Sequence, residues 1–263
     1  MSSSIFENGK IDRTPFRVDL DDARYPSRVK AVMGKKAPKH LDMVGNKELL
    51  DMAGLGLCGS RKAGSKSLEI ARDCAEQAAQ NNVSVVSGNA AGVDFESHFS
   101  CLKAGGKTIL VIPEGINYFR IRKDLKPVWD WDRVLVVSQF EPNEPWKTFR
   151  AMVRNQLIVA LSRAVIVVES GEKGGSIYTG EETLKRDIPL YVAQHQGMSA
   201  DARGNQILLA RGAHKLPEDQ SSNEPDLTEV FKSMEKGGIP KNSSGRQGKF
   251  ELPPAAPAVI RDS

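Results

Sequence analysis

Four short stretches hold the residues whose types and spacing suit chemistry on an anion. The first is Gly59-Ser60-Arg61, directly after the apolar run Leu55–Cys58. Gly59 allows close backbone approach, Ser60 offers a hydroxyl, and Arg61 can grip a phosphate with two parallel N–H donors. The second is Ser87-Gly88-Asn89-Ala90-Ala91-Gly92-Val93-Asp94. Its small residues bring backbone amides to the surface at the start of a helix, where unpaired N–H groups favour negative charge. Ser87, Gly88 and Gly92 are its candidate contacts, while Asp94 reads as a helix cap or a partner for Arg61. The third is Phe149-Arg150 with Arg154-Asn155. An aromatic ring beside cations can stack a base while the cations hold the backbone, and Phe149, Arg154 and Asn155 are its candidates. The fourth runs from Glu169-Ser170 to Gly174-Gly175-Ser176 and Thr179, with Gly175, Ser176 and Thr179 as possible phosphate contacts. Arg61 and Arg154 are expected to converge on one phosphate pocket.

Several chemistries lack their residues. There is no GxxxxGK[ST] loop, no GxGxxG after the first strand and no GxSxG elbow, which removes the usual signatures of triphosphate hydrolysis, dinucleotide redox chemistry and serine hydrolysis. Cys58, Cys74 and Cys101 are too far apart for a CxxC knuckle, and His40, His98, His195 and His214 show no HxH or HExxH spacing. No metal, no cofactor and no catalytic residue is assigned. His98 lies one turn beyond Asp94 on the same helix face, so the two could form an acid–base pair or a structural hydrogen bond.

These stretches need a scaffold that gathers them. From Gly54 onward, short apolar runs alternate with helical patterns, the signature of a parallel sheet with crossover helices. Strands are predicted at Leu55–Cys58, Val83–Val86, Thr108–Ile112, Val134–Val137, Ala164–Val168 and Pro189–Ala193. Helices are predicted at about 65–81, 93–104, 148–162 and 176–186. Strands this continuously apolar are buried on both faces. The fold class is α/β: a Rossmann-like, doubly wound, mostly parallel sheet with helices on both faces. In such a sheet, ligands bind at the carboxyl ends of the strands, where all four stretches fall.

Residues 1–21 read as a flexible arm, 22–216 as the Rossmann-like domain with 22–53 as a lead-in, and 217–263 as a mostly disordered tail rich in Pro, Gly and Ser. Within the tail, Asp226–Lys236 could form an amphipathic helix. The chain has 263 residues, 40% hydrophobic and 27% charged, which excludes a wholly disordered polypeptide. The net charge of +4 is too mild to identify a nucleic-acid binder by itself. Arg28, Lys30, Lys35, Lys36, Lys39 and Lys47 concentrate the basic surplus between Pro26 and Leu50. Nothing in the sequence marks a membrane span or an export signal, so the cytoplasm is the expected location.

Order along the chain adds a resemblance. Tyr25-Pro26, Ala37-Pro38-Lys39-His40-Leu41 and Gly45-Asn46 are followed by GSR at 59–61 and SGNAAGVDFESH at 87–98. Then come Gly105-Gly106-Lys107-Thr108, Pro113-Glu114-Gly115-Ile116, Arg154-Asn155 with Ile158 and Leu161-Ser162, Gly175-Ser176 with Thr179, and Gly204-Asn205-Gln206-Ile207-Leu208 with Gly212-Ala213. Taken in this order over about residues 22–215, these blocks resemble the DNA-processing protein A family (DprA, also called Smf). The resemblance implies a Rossmann-like domain that binds single-stranded DNA and presents it to a RecA-type recombinase in DNA uptake or recombination. It also implies a homodimer without a chemical reaction. Asn89, Ser97, Gln156 and Gly180-Glu181-Glu182 depart from the family pattern, and the winged-helix domain of many members is missing. Two alternatives come from the wider superfamily: a nucleoside-monophosphate phosphoribohydrolase, for which KGGSIYTGEE offers glycines, a threonine and glutamates, and a nucleotide-sensing module.

Overall fold

The computed structural model describes residues 6–7, 10–11, 14–195, 198 and 202–236. Strands β1 (Phe6–Glu7) and β2 (Lys10–Ile11) pair with each other in antiparallel fashion. The main sheet has nine strands: β3 (Phe16–Asp19), β4 (His40–Gly45), β5 (Gly54–Cys58), β6 (Ser84–Ser87), β7 (Thr108–Ile112), β8 (Val134–Ser138), β9 (Ala164–Val167), β10 (Leu190–Val192) and β11 (His214–Lys215). Their spatial order is β11-β10-β9-β5-β6-β7-β8-β4-β3. Every neighbouring pair from β11 to β8 is parallel, whereas β4 and β3 add on antiparallel. The chain winds outward from β5 through β6, β7 and β8, then returns to place β9 on the other side of β5. The topological switch point therefore lies between β5 and β9, and the loops after them open the crevice where ligands of such sheets bind.

Helices α1 (Ser27–Met33), α2 (Ser65–Gln80), α3 (Val93–Lys103), α4 (Thr148–Leu161), α5 (Gly175–Lys185), α6 (Arg203–Ala210) and α7 (Thr228–Lys236) cover the sheet. Along β7, Ile109 and Val111 pack with α1 and α4, while Leu110 and Ile112 face Leu102 of α3. This alternation places α3 and α4 on opposite faces. In α2, Ile70, Ala71, Cys74, Ala75 and Ala78 form one buried stripe at helical spacing. Arg28 of α1 donates two hydrogen bonds to the carbonyl of Ser162, at 3.1 and 2.6 Å, where α4 ends. A cation at a helix C-terminus complements the exposed carbonyls. Burial and the charge of Arg163 lower its pKa to about 10.

The parallel core matches the sequence reading, but both margins correct it. Residues 16–19 are not a loose arm: they form the edge strand β3, in register with β4 from Phe16–Met43 to Asp19–His40. Only Val18 of this strand is buried, so no apolar period marks it. Its anchor is instead a two-pronged bond from Arg17 to Asp42, at 2.8 and 2.9 Å. The lead-in is not merely extended either, because Ser27 opens α1 and His40–Gly45 enter the sheet.

The start of the tail is a folded element. Leu227, Val230 and Met234 are buried against the cluster that contains Leu55, Ala71 and Tyr191. Gln77 of α2 brackets the approach to α7: its amide nitrogen donates to the Pro225 carbonyl at 2.6 Å, and its oxygen accepts from the Leu227 N–H at 3.1 Å. The expected amphipathic segment is therefore helical and docked. Residues 237–263 lie outside the described residues. Among the described residues, no helix is long and apolar enough to cross a membrane.

Candidate nucleic-acid interface

The loops after β5 and β6 are built against each other. Gly92 takes φ +72°, a left-handed conformation that favours glycine, and opens α3. A side chain there would strike the Ser60 carbonyl, 2.2 Å from its Cβ position. The N–H of Val93 donates to that carbonyl at 3.2 Å. A Cβ on Gly59 would lie 2.5 Å from the Val93 side chain. The predicted glycines thus serve close loop-to-loop contact, which holds Ser60 and Arg61 on the rim. Arg61 is exposed and forms no ion pair among the described residues. Ser60 Oγ accepts from the Lys62 N–H at 3.0 Å, which closes a local turn.

Beneath these loops lies a buried charge network. Arg154 is 4% exposed and donates from Nη1 to the Val111 carbonyl at the end of β7. Its guanidinium fills the space over Gly88: a Cβ on Gly88 would fall 2.2 Å from Arg154 Nη1 and 2.4 Å from Asp94 Oδ2. Burial pushes the Asp94 carboxyl up, and the charge of Arg154 pulls it back down; Glu114 follows the same pattern. Burial lowers the Arg154 pKa, which Asp94 and Glu114 counter, while Arg61 is near enough to add to the lowering. Asp94 also accepts from the Ala90 N–H at 3.3 Å, so the network holds the 88–94 loop directly. Arg61 and Arg154 do approach the same loop pair, but Arg154 lies under it. Its burial corrects the expectation that both arginines line one open pocket.

His98 and Asp94 do not form an acid–base pair. The His98 ring directs Nε2 to the Gly88 carbonyl at 2.6 Å and Nδ1 to the Thr108 hydroxyl at 2.7 Å. Burial lowers its pKa to about 4, so the ring is neutral near neutrality and donates from Nε2. Neither expected alternative joins these two residues: His98 bonds Gly88 and Thr108, while Asp94 accepts from Ala90.

The remaining predicted residues divide by depth. Ser87 is buried and donates to the Leu57 carbonyl at 2.5 Å. Thr179 is buried and donates back along α5 to the Gly175 carbonyl at 2.7 Å. Asn155 is buried and donates to the same carbonyl at 3.2 Å, tying α4 to the start of α5. These three side chains brace loops and do not face solvent. Gly175 and Ser176 remain partly exposed at the α5 N-terminus. Phe149 is 59% exposed, and Arg150 packs beneath it. The Arg150 guanidinium lies 5.6 Å from the Phe149 ring centre and 5.4 Å from that of Phe140, and it pairs with Glu144 at 2.5 Å.

Two features were missed in the sequence. Trp146, just before α4, and Val153, about one turn beyond Phe149 on it, are also exposed. Phe149 and Val153 are four apart on the helix, so an i, i+4 search would have paired them, whereas Trp146 lies before its first turn. The other is Glu169. Its buried carboxylate accepts from the Gly64 N–H at 3.2 Å and from the Ser67 hydroxyl at 2.7 Å. Gly64 caps α2 without a side chain of its own, so Glu169 supplies the negative charge that this N-terminus attracts. A phosphate cannot sit there as it would in a dinucleotide fold. The described residues contain no His/Cys/Asp/Glu group arranged to hold a metal ion.

Comparison with known proteins decides the family. The model of DNA recombination-mediator protein A matches residues 17–224. The chain belongs to the DNA recombination-mediator protein A family. It is 32% identical over 206 residues to DNA processing protein DprA of Streptococcus pneumoniae, covering 76% of this chain and 70% of that protein. It is 26% identical over 201 residues to the Bacillus subtilis DprA, covering 76% and 67%. The crystal structure of S. pneumoniae DprA superposes with a TM-score of 0.68 at 29% identity, over 76% of this chain and 70% of the other. DNA processing protein A from Helicobacter pylori, described for its single-stranded DNA binding mode, superposes with a TM-score of 0.65 at 24% identity, over 84% and 94%. The Rossmann-like sheet expected from the sequence is the fold these proteins share. The family match begins at Arg17, in the edge strand that the sequence reading left outside the domain.

Proposed function

We propose that this protein binds single-stranded DNA along the carboxyl edge of its sheet and, as a homodimer in the cytoplasm, presents it to a RecA-type recombinase. The observation that carries the reading is Arg61, exposed and without an ion pair among the described residues, on a loop pair braced from below by Arg154; the exposed rings of Trp146 and Phe149, at the start of α4, add to it. Cations on a rigid rim suit backbone phosphates, and exposed aromatic rings suit unstacked bases. Membership of a DNA recombination family supports the same reading.

The hydrolase and nucleotide-sensing alternatives lose support at specific residues. Glu181 is ion-paired with Arg211, and Glu182 with Arg186 and Lys185. A glutamate assisting glycosidic cleavage would need to be free. The α2 N-terminus, the natural seat of a nucleotide phosphate, holds Glu169. The test is a titration with single-stranded oligonucleotide, duplex and nucleoside monophosphate at several salt concentrations. The expected result is preference for the single strand, affinity that falls as salt rises, and no free base released from the monophosphate. Equal affinity for duplex and single strand overturns it.

A further inference from the structure

Parallel strands β7 and β8 are joined by residues 113–133, a connection without an α-helix. It contains short 3-10 segments at Ile116–Tyr118, Lys123–Val128 and Trp131–Arg133. Such crossovers are usually helical, and a long irregular connection inside a compact domain is commonly functional. This one is firmly seated. Ile116, Phe119, Val128, Trp129 and Trp131 pack on Leu110, Ile112, Val134 and Val136 of the sheet. Trp129 lies 5.1 Å from Trp131 and 5.9 Å from Phe119, ring centre to ring centre.

The outward side of this insert is basic. Arg120, Arg122, Lys123 and Lys126 fall within seven residues, against Asp124 alone. Three arginines elsewhere are neutralised: Arg150 by Glu144, Arg17 by Asp42 and Glu141, and Arg203 by Glu172. The four insert cations form no ion pair among the described residues. Arg120 is held by its own backbone, donating to the carbonyls of Asn117 and Phe119 at 2.9 and 2.7 Å. The Arg122 guanidinium lies 4.9 Å from the ring centre of Phe95, in the first turn of α3. It is also near enough to His98, the residue bonded to Gly88, to lower that ring's pKa. The insert therefore reaches the first turns of α3, directly after the 88–94 loop, whereas the exposed Phe149 lies on α4, which packs on the opposite face of the sheet.

We propose that the β7–β8 insert is a second backbone-binding surface, which takes the phosphates of a single strand after it has crossed the sheet edge at loops 59–61 and 88–92. This rests on the single-strand reading above and adds a direction to it: across the edge of the sheet, from the α4 rim to the α3 side. Length dependence follows. A strand of about four nucleotides fills the edge alone, whereas one of about sixteen also covers the insert.

The experiment titrates both lengths, over a salt series, into the full chain and three variants, with a thermal melt of each. The first variant is Arg120→Ala/Arg122→Ala/Lys123→Ala. The second, Lys123→Glu/Lys126→Glu, alters only exposed side chains and guards against a folding defect in the first. The third, Lys103→Ala, removes a cation at the far end of α3. Both insert variants should lose about tenfold or more in affinity for the long strand and keep the short-strand affinity. In the triple alanine variant, the salt slope for the long strand should fall by about 2. Lys103→Ala should match the parent chain. Unchanged long-strand affinity and slope in folded insert variants overturns the proposal while leaving the edge site standing. Failure of the parent chain to bind either length overturns the single-strand reading and the proposal together.

Discussion

Arg61 and Arg154 reach the same pair of loops from opposite sides, and their surroundings assign them different work. Arg61 is exposed on the rim and forms no ion pair among the described residues, although its charge is felt by Asp94 below. Arg154 lies in the interior, bonded to the Val111 carbonyl and facing Asp94 across Gly88, with Glu114 nearby. An exposed guanidinium gives up little hydration until a phosphate arrives, so its contribution appears in binding. A buried one is desolvated already, and its contribution appears in the fold. The pair shows how a glycine-rich edge is fixed: charge below holds the loops, and charge above stays exposed, as the proposed single-strand binding requires.

The largest expected effect breaks the lower half of this comparison. Arg154→Ala removes the main counter-charge of Asp94 and empties the space over Gly88, and should destabilise the fold by about 3–5 kcal/mol. Thermal or denaturant melts measure it. Asp94 has a raised pKa in the fold, and loss of Arg154 raises it further. A group with a raised folded pKa binds protons more readily in the native state, so its penalty shrinks as pH falls. The deficit of Arg154→Ala relative to the parent chain should accordingly narrow from pH 7 toward pH 5. A deficit independent of pH would mean that Asp94 and Arg154 are not coupled.

His98 provides the next effect, about 3 kcal/mol. Its pKa falls from 6.5 to about 4 on folding. Between those values the unfolded chain takes up a proton and the native chain does not. Stability is therefore complete above pH 6.5 and declines as pH drops to 4. His98→Gln retains a donor for the Gly88 carbonyl and cannot titrate, so it should lack this part of the acid slope. Parallel stability curves for the two proteins across that window would show that His98 is not the group responsible.

Why the exposed position of Arg61 was legible and the burial of Arg154 was not follows from what each position reveals along the chain. Glycines and small residues after apolar runs mark loops at a sheet edge, and that identified 59–61 and 87–94. Depth is set by residues far away in sequence. Arg154 can be buried because Asp94 and Glu114 arrive from two other loops, and no local pattern announces that meeting. The same holds for the margins of the fold. Continuous apolar strands such as TILVI identify themselves, but β3 carries one core residue, Val18, and β11 is two exposed residues. Helix α7 has a readable period, yet its docking depends on Gln77, whose type gives no hint of it. The aromatic insert between β7 and β8 has no sustained period, since it is built of short 3-10 turns whose apolar side chains, Trp129 and Trp131 among them, pack on the sheet.

The upper half of the comparison is tested by Arg61→Ala. A charge-assisted contact between guanidinium and phosphate contributes about 1.5–3 kcal/mol, so single-strand affinity should fall about ten- to a hundredfold. The melting temperature should stay where it is, because the side chain is exposed and makes no hydrogen bond or ion pair among the described residues. Oligonucleotide titration alongside a melt reads both. A lower melting temperature with intact affinity would move Arg61 into the bracing class and leave the rim without its cation.

The smallest effect sharpens the contrast within a single helix turn. Ser176 and Thr179 both open α5, and the sequence offers both as phosphate contacts. Ser176 is partly exposed at the helix N-terminus, while Thr179 is buried with its hydroxyl committed to the Gly175 carbonyl. If depth decides role here as it does for the arginines, the two substitutions should separate cleanly. Ser176→Ala removes one neutral donor at a helix end, and should weaken single-strand binding by about 0.5–1.5 kcal/mol with no change in melting. Thr179→Val keeps the shape and deletes the buried hydroxyl, so it should lower stability by a similar amount and leave the affinity of the folded protein unchanged. The same titration and melt, run on both variants, give four numbers that must fall in this crossed pattern. If Thr179→Val weakens binding while Ser176→Ala does not, the α5 end of the platform presents a different face to the strand, and the division between bracing and contacting residues would apply only to the loops after β5 and β6.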